Sequence, residues 1–231
     1  QDTTWPSNGT QAVMYSMPAC YYLDIDQNGT QDILVAPFAN NTENYKNTLF
    51  YKNIGSATSN NFVYVSDSFF AEKMIDLGTN SKPFFYDYDR DGKKDLIVGS
   101  DGFYQSNGSL QSRLLLFKNT STANNRSFSL INNNFLAIDT LNLNGAAPAI
   151  GDLDKDGKDD LVLGVASTGE LVYYKNTAVS NAAIPIWTLS QKQLKDNNGT
   201  VINVFANAAP FIYDVNKDGT NDLLIGCQKG R

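Results

Sequence analysis

The chain has 231 residues, 24 acidic and 18 basic side chains, a net charge of −6 and no histidine. The missing histidine removes His-based nucleophilic triads, most general-base arrangements and zinc sites, and an acidic chain without a basic stripe argues against nucleic-acid binding. Two cysteines, Cys20 and Cys227, are too few for a disulfide framework, and no apolar run has the length of a membrane-spanning helix.

In chain order, an apolar stretch opened by Pro18 (PACYYL) leads into LDIDQNGTQDILVA, with Asp24, Asp26, Asn28, Gly29 and Asp32. The same arrangement returns as PFFY at 83 followed by YDYDRDGKKDLIVG, with Asp87, Asp89, Asp91, Gly92 and Asp95. It returns again as PAIG at 148 with GDLDKDGKDDLVLG, and as PFIY at 210 with YDVNKDGTNDLLIG. The third copy holds Asp152, Asp154, Asp156, Gly157 and Asp160; the fourth holds Asp214, Asn216, Asp218, Gly219 and Asp222. The glycines fall at 29, 92, 157 and 219, steps of 63, 65 and 62 residues, which marks a repeat protein. The first apolar stretch is two residues longer than the others, and an insertion of two keeps the in/out alternation of a strand.

After each loop comes an apolar run of β-forming residues such as Leu96-Ile97-Val98. A third segment recurs as LFYKN (49–53), LLFKN (115–119) and VYYKN (172–176), and a fourth centres on Phe62, Phe128 and Trp187. Four short strands per repeat, Asn/Gly/Ser turns and no long amphipathic helix predict an all-β fold, a β-propeller of four-stranded blades with about 3.7 repeats. The expected partition is a strand of a preceding or closing blade in 1–17, blades at 18–80, 81–145 and 146–207, and the first half of a fourth at 208–231. The aromatic-Lys-Asn segment reads as structural, its rings packing between blades and its Asn turning the chain.

The loops read D-x-D-x-D-G-x-x-D. Calcium takes six to eight oxygens from carboxylates, a backbone carbonyl and water. Here the side chains at positions 1, 3, 5 and 9 would supply the carboxylates. The position-7 carbonyl of Thr30, Lys93, Lys158 or Thr220 would add another oxygen, and the glycine at position 6 permits the turn. An EF-hand would need Glu at position 12, where the third loop has Leu163. Fourteen of the sixteen side chains at those four positions are Asp, which leaves ten acids facing 18 bases elsewhere. The negative charge is therefore concentrated in the loops, and four Ca2+ ions, one per loop, are the expected cofactors.

The proline-led strand, the D-x-D-x-D-G-x-x-D-L-x-x-G motif and the aromatic strand ending in Asn resemble the FG-GAP/VCBS repeats of integrin α-subunits and secreted bacterial surface proteins. That resemblance implies a propeller, often seven-bladed, with calcium held in a hairpin loop of each blade. Asn28 and Asn216 depart from Asp and should weaken the first and fourth loops. The chain then reads as part of a larger seven-bladed ring, or as a four-bladed ring closed by residues 1–16, with Trp5 aligned to Trp187. Only a closed ring would bring Cys20 and Cys227 together, and two reduced thiols are the simpler reading.

The family hosts adhesins, receptors and polysaccharide-active enzymes, so the fold alone does not assign an activity. The expectation is a secreted or cell-surface, non-catalytic adhesion or recognition module with a protein or glycan partner and no direct insertion into membranes. The alternatives are a scaffold of a secreted polysaccharide-active enzyme and a subunit of a surface assembly that pairs through its open blade edge. The remaining acids, including Glu43, Glu72 and Glu170, show no repeated pairing. The recognition surface is expected where the repeats differ, in 36–47 and 100–111, with Phe103 or Tyr104 available to stack on a sugar.

Overall fold

The computed structural model describes residues 19–36, 48–56, 58–70, 75–105 and 107–229. The strand expected in 1–17, Trp5, Glu43, Glu72 and nearly all of the 36–47 segment lie outside them. The chain divides into two compact units, Gln1–Asp76 and Leu77–Arg231.

The first unit holds one antiparallel sheet of β1 (Ala19–Leu23), β2 (Asp32–Ala36), β3 (Leu49–Asn53) and β4 (Phe62–Ser66), in sequential order. Its core is Val35, Leu49 and the fully buried Tyr51, packed by Ile33, Phe62 and Tyr64.

The second unit repeats the pattern. One sheet orders β5 (Lys82–Tyr86), β6 (Asp95–Gly99), β9 (Leu114–Asn119) and β10 (Phe128–Asn132). Between β6 and β9 the chain makes a small hairpin of β7 (Phe103–Tyr104) and β8 (Leu110–Gln111). The next sheet runs β11 (Ala147–Gly151), β12 (Asp160–Gly164), β13 (Leu171–Asn176) and β14 (Trp187–Gln191), and β15 (Ala209–Tyr213) pairs with β16 (Asp222–Gly226). In every copy the acidic loop joins the first strand to the second, and position 9 is the first residue of the second strand. The aromatic-Lys-Asn segment is the third strand, and Phe62, Phe128 and Trp187 each open the fourth.

Within this unit the sheets stack face to face, and β11 lies against both β5 and β15. Alternation explains why the second and third strands read as continuous apolar runs. Leu161 and Leu163 of β12 enter one core with Ile97, Leu114, Leu116 and Trp187, while Val162 points the other way into a core with Ala149, Leu171, Tyr173 and Ile212. The two tyrosines of β13 divide in the same manner, Tyr174 to the first core and Tyr173 to the second. Both faces of that sheet are covered, so both side-chain sets are apolar.

The glycines closing β6 and β12 have a packing reason. A Cβ on Gly99 would overlap the carbonyl oxygen of Ala146, and one on Gly164 would overlap that of Ala208. Each glycine is thus where the segment leading into the next sheet passes across the strand end.

Candidate metal centre

Each acidic loop is built by its own side chains bonding its own amides. The position-1 carboxylate accepts from the amide at position 6: Gly29 N to Asp24 at 2.8 Å, Gly92 N to Asp87 at 3.1 Å, Gly157 N to Asp152 and Gly219 N to Asp214, both at 2.9 Å. The position-5 oxygen accepts from the amide at position 7, as in Lys93 N to Asp91 at 2.9 Å and Thr220 N to Asp218 at 2.8 Å. The four glycines have φ of 87°, 84°, 79° and 86° with open space around the missing Cβ, so the requirement is conformational. Position 4 is left-handed as well, at Gln27, Arg90, Lys155 and Lys217 with φ of 57–65°. A non-glycine residue there costs roughly 1–2 kcal/mol, and the hydrogen bonds of the loop hold it.

The position-9 aspartate fastens the loop to the sheet. Asp32, Asp95 and Asp160 are almost fully buried. One oxygen of each accepts the amide at position 2, from Ile25, Tyr88 or Leu153, at 3.0–3.3 Å. The other accepts the backbone amide of the motif asparagine, Asn53, Asn119 or Asn176, at 2.8 Å in all three copies. Tyr173 donates its hydroxyl to Asp160 at 2.9 Å, yet burial dominates and pushes the Asp160 carboxyl above the ordinary carboxylate value. In the fourth copy Asp222 accepts Val215 N at 3.0 Å, and β16 has no third strand beside it among the described residues.

The folded loops bring the carboxylates of positions 1, 3 and 9 together in three copies: Asp24, Asp26 and Asp32; Asp87, Asp89 and Asp95; Asp152, Asp154 and Asp160. In each group one oxygen per residue lies within 4.8 Å of the others. The fourth loop has Asn216 at position 3 and forms no such three-acid group among the described residues.

A divalent cation fits this donor set. The oxygens are hard, acidic and convergent, and Asp87 Oδ1 is buried without a hydrogen-bond partner, an arrangement that costs free energy unless a cation meets it. Positions 1, 3 and 9 would supply three carboxylates, with position 5 and the position-7 carbonyls of Thr30, Lys93, Lys158 and Thr220 as the remaining candidates.

The third-strand lysine supplies an interaction that sequence reasoning missed. Lys52 meets Asp26 at 2.6 Å; Lys118 pairs with Asp89 and lies 3.4 Å from Asp91; Lys175 pairs with Asp154 and lies 2.9 Å from Asp156. Its hydrogen bonds hold Asp26 and Asp156 below the ordinary carboxylate value. Asp91 is lowered first by the Lys93 amide and then by Lys118, while the carboxylates raise the lysines. The lysine thus meets position 3 most closely in all three loops and reaches position 5 as well in the second and third. A charged residue repeated inside an otherwise apolar strand was the available signal.

The motif asparagine is a latch. Asn176, fully buried, donates from Nδ2 to Asp159 O at 3.1 Å and accepts Ala178 N and Ile186 N at 3.0 and 3.2 Å. Asn53 makes the equivalent bonds to Gln31 O, Gly55 N and Asn61 N. Cys20 in β1 and Cys227 after β16 are in no disulfide among the described residues.

These observations define a class, a β-repeat protein with an acidic loop in every repeat. An FG-GAP-like repeat family model matches residues 87–163. Integrin alpha pat-2 of Caenorhabditis briggsae is 34% identical over 86 residues, covering 36% of this chain and 6% of that protein. Integrin alpha pat-2 of Caenorhabditis elegans is 31% identical over a segment of the same length and coverage. Residues 87–163 thus carry FG-GAP-like repeat sequence, and the chain spans only about 6% of the length of those curated relatives.

Proposed function

We propose that this chain is a calcium-stabilised, non-catalytic recognition module of the extracellular space, its sheets forming blades of a β-propeller. The observation that carries the reading is the convergence of three carboxylates in each of three loops, with one oxygen of Asp87 buried and unpartnered. Bound calcium would neutralise charge that otherwise repels, so its binding free energy would add to folding free energy. Loops with at most four side-chain ligands suit the high calcium outside cells, and the integrin relatives support that compartment. No helix among the described residues is long and apolar enough to cross a membrane.

The face-to-face stacking of the sheets in the second unit, with first strands adjoining, supports the propeller. The edge of β16 that no described strand covers would take a further strand of the same repeat pattern. Absence of histidine supports a non-catalytic role.

Native mass spectrometry in calcium tests the loop assignment. Asp89→Ala should lose one ion and keep the rest, because repeats interact mainly with their neighbours. Wild-type protein that binds no calcium, or an Asp89→Ala variant with the full complement, would overturn it.

A further inference from the structure

The connection from β6 to β9 spans residues 100–113, whereas the equivalent connection from β12 to β13 spans only 165–170. The extra length forms the β7–β8 hairpin, closed by Gln105 N to Ser109 O at 2.8 Å. Facing it is the segment that leads from β10 to β11, and between the two lies a cleft of about 860 Å³. That volume falls in the range of small-ligand sites, roughly 300–1,000 Å³.

The lining is unusual for this chain. Charged residues are 18% of the sequence, yet no charged side chain among the described residues lines the cleft. Its polar surface comes mainly from five amides, Gln105, Asn107, Gln111, Asn142 and Asn144, beside the ring of Tyr104, which is 46% exposed. The side-chain amides of Asn142 and Asn144 and the Tyr104 hydroxyl make no hydrogen bond to the described residues. Asn107 uses its Oδ1 on Ser109 N and Oγ at 2.9 and 2.7 Å, which leaves its NH2 group free.

The walls are fixed relative to one another. Ser112, 1% exposed, donates to Asp101 O at 3.2 Å and accepts Gly145 N at 2.7 Å, tying the base of the hairpin to the opposite wall. Thr79 N and Gly102 O bond at 2.9 Å, and the Arg113 guanidinium covers the Phe103 ring at 5.4 Å. In the segment that runs up to the opposite wall, Leu136 and Ala137 adopt left-handed φ of 60° and 49°, as does Asn142 in the wall itself at 51°, and buried Phe135 and Ile138 anchor the segment. Three such residues in one short segment store backbone strain, which clusters at ligand sites.

We propose that this cleft binds a neutral oligosaccharide. Asn142 and Asn144 each offer a donor and an acceptor in one plane, and Asn107 adds its NH2 donors, which suits neighbouring hydroxyls that both donate and accept. An exposed tyrosine ring offers an apolar face to the C–H side of a sugar ring. A lining without charge gives no attraction for phosphate, sulfate, sialic acid or a basic peptide. The site lies at the opposite end of β6 from the acidic loop, about 17 Å away by strand length, so calcium would support the cleft without entering it. This inference rests on the reading of the chain as a recognition module.

The test is a glycan array probed with the intact chain in calcium, holding neutral oligosaccharides beside sialylated, sulfated and heparin-type glycans, followed by calorimetry with the best-bound compound. Neutral glycans should bind. Tyr104→Ala and Asn144→Ala should each weaken binding tenfold or more, with melting temperature and calcium content unchanged, and Tyr104→Phe should retain the ring contact. Binding confined to charged glycans, no glycan binding at all, or neutral binding that survives both alanine variants would overturn the cleft assignment. The broader recognition reading is judged apart, by binding of the same fluorescent chain to cell-surface proteins after enzymatic removal of glycans. Such binding with an empty array would leave recognition standing and the glycan cleft refuted.

Discussion

Replacing Asn176 by alanine measures how strongly the third strand holds the repeat together. The side chain is fully buried and makes three hydrogen bonds: to Asp159 O, from Ala178 N and from Ile186 N. Its backbone amide, which holds Asp160 at 2.8 Å, survives the substitution. Each lost bond contributes about 1 kcal/mol net, and the buried amide of Ala178 is left without an acceptor, so the loss should be about 3 kcal/mol. For a chain of this size that lowers the melting temperature by about 6–12 °C. Asn119→Ala serves as the internal comparison, because Asn119 is only half-buried and its side chain bonds Lys94 O and Ser121 N alone; its shift should be about half as large. Calorimetric melting in saturating calcium keeps the metal contribution constant. Calcium content of Asn176→Ala should equal that of wild type. A shift below 2 °C, or a larger effect at Asn119, would refute the latch.

Lys175→Met should have opposite effects with and without metal. Without calcium it removes the only cation paired with both Asp154 and Asp156 among the described residues and lowers the melting temperature. With calcium it removes a competing charge and strengthens binding at that loop several-fold by calorimetry; equal or weaker binding would contradict the competition. Gly164→Ala should destabilise by about 1–3 kcal/mol through overpacking, since the new Cβ meets backbone oxygen of Ala208 rather than a movable side chain. A wild-type denaturant midpoint for that variant would show that the strand end has room.

Much of the architecture was readable from the chain. The D-x-D-x-D-G-x-x-D period located the first-to-second strand turn of every repeat, because left-handed glycine and converging carboxylates leave a fixed spacing. The aromatic-Lys-Asn segment was legible as a strand and its asparagine as a turn. Its lysine was not recognised, because Lys118 and Lys175 reach residues 29 and 21 positions away, contacts that only sheet pairing creates. Left-handed Gln27, Arg90, Lys155 and Lys217 carry no compositional signal, since nothing about a long polar side chain announces positive φ. The 100–111 segment stood out by its length, but its pairing as a hairpin and its partner wall at 142–144 depend on tertiary packing. Segment 36–47, singled out on the same grounds, lies almost wholly outside the described residues.

If calcium in the acidic loops holds the repeats folded, as proposed, a chelator removes that support. Each loop saturated at 100 times its dissociation constant adds about 2.7 kcal/mol, so four loops together rival the 5–15 kcal/mol stability of an ordinary domain. Thermal melting followed by circular dichroism in EDTA should therefore fall by well over 10 °C from its value in millimolar calcium, at about 2–4 °C per kcal/mol. Excess calcium should restore it, while magnesium, which demands a tighter octahedral site, should restore much less. A melting curve that EDTA leaves in place would contradict the account.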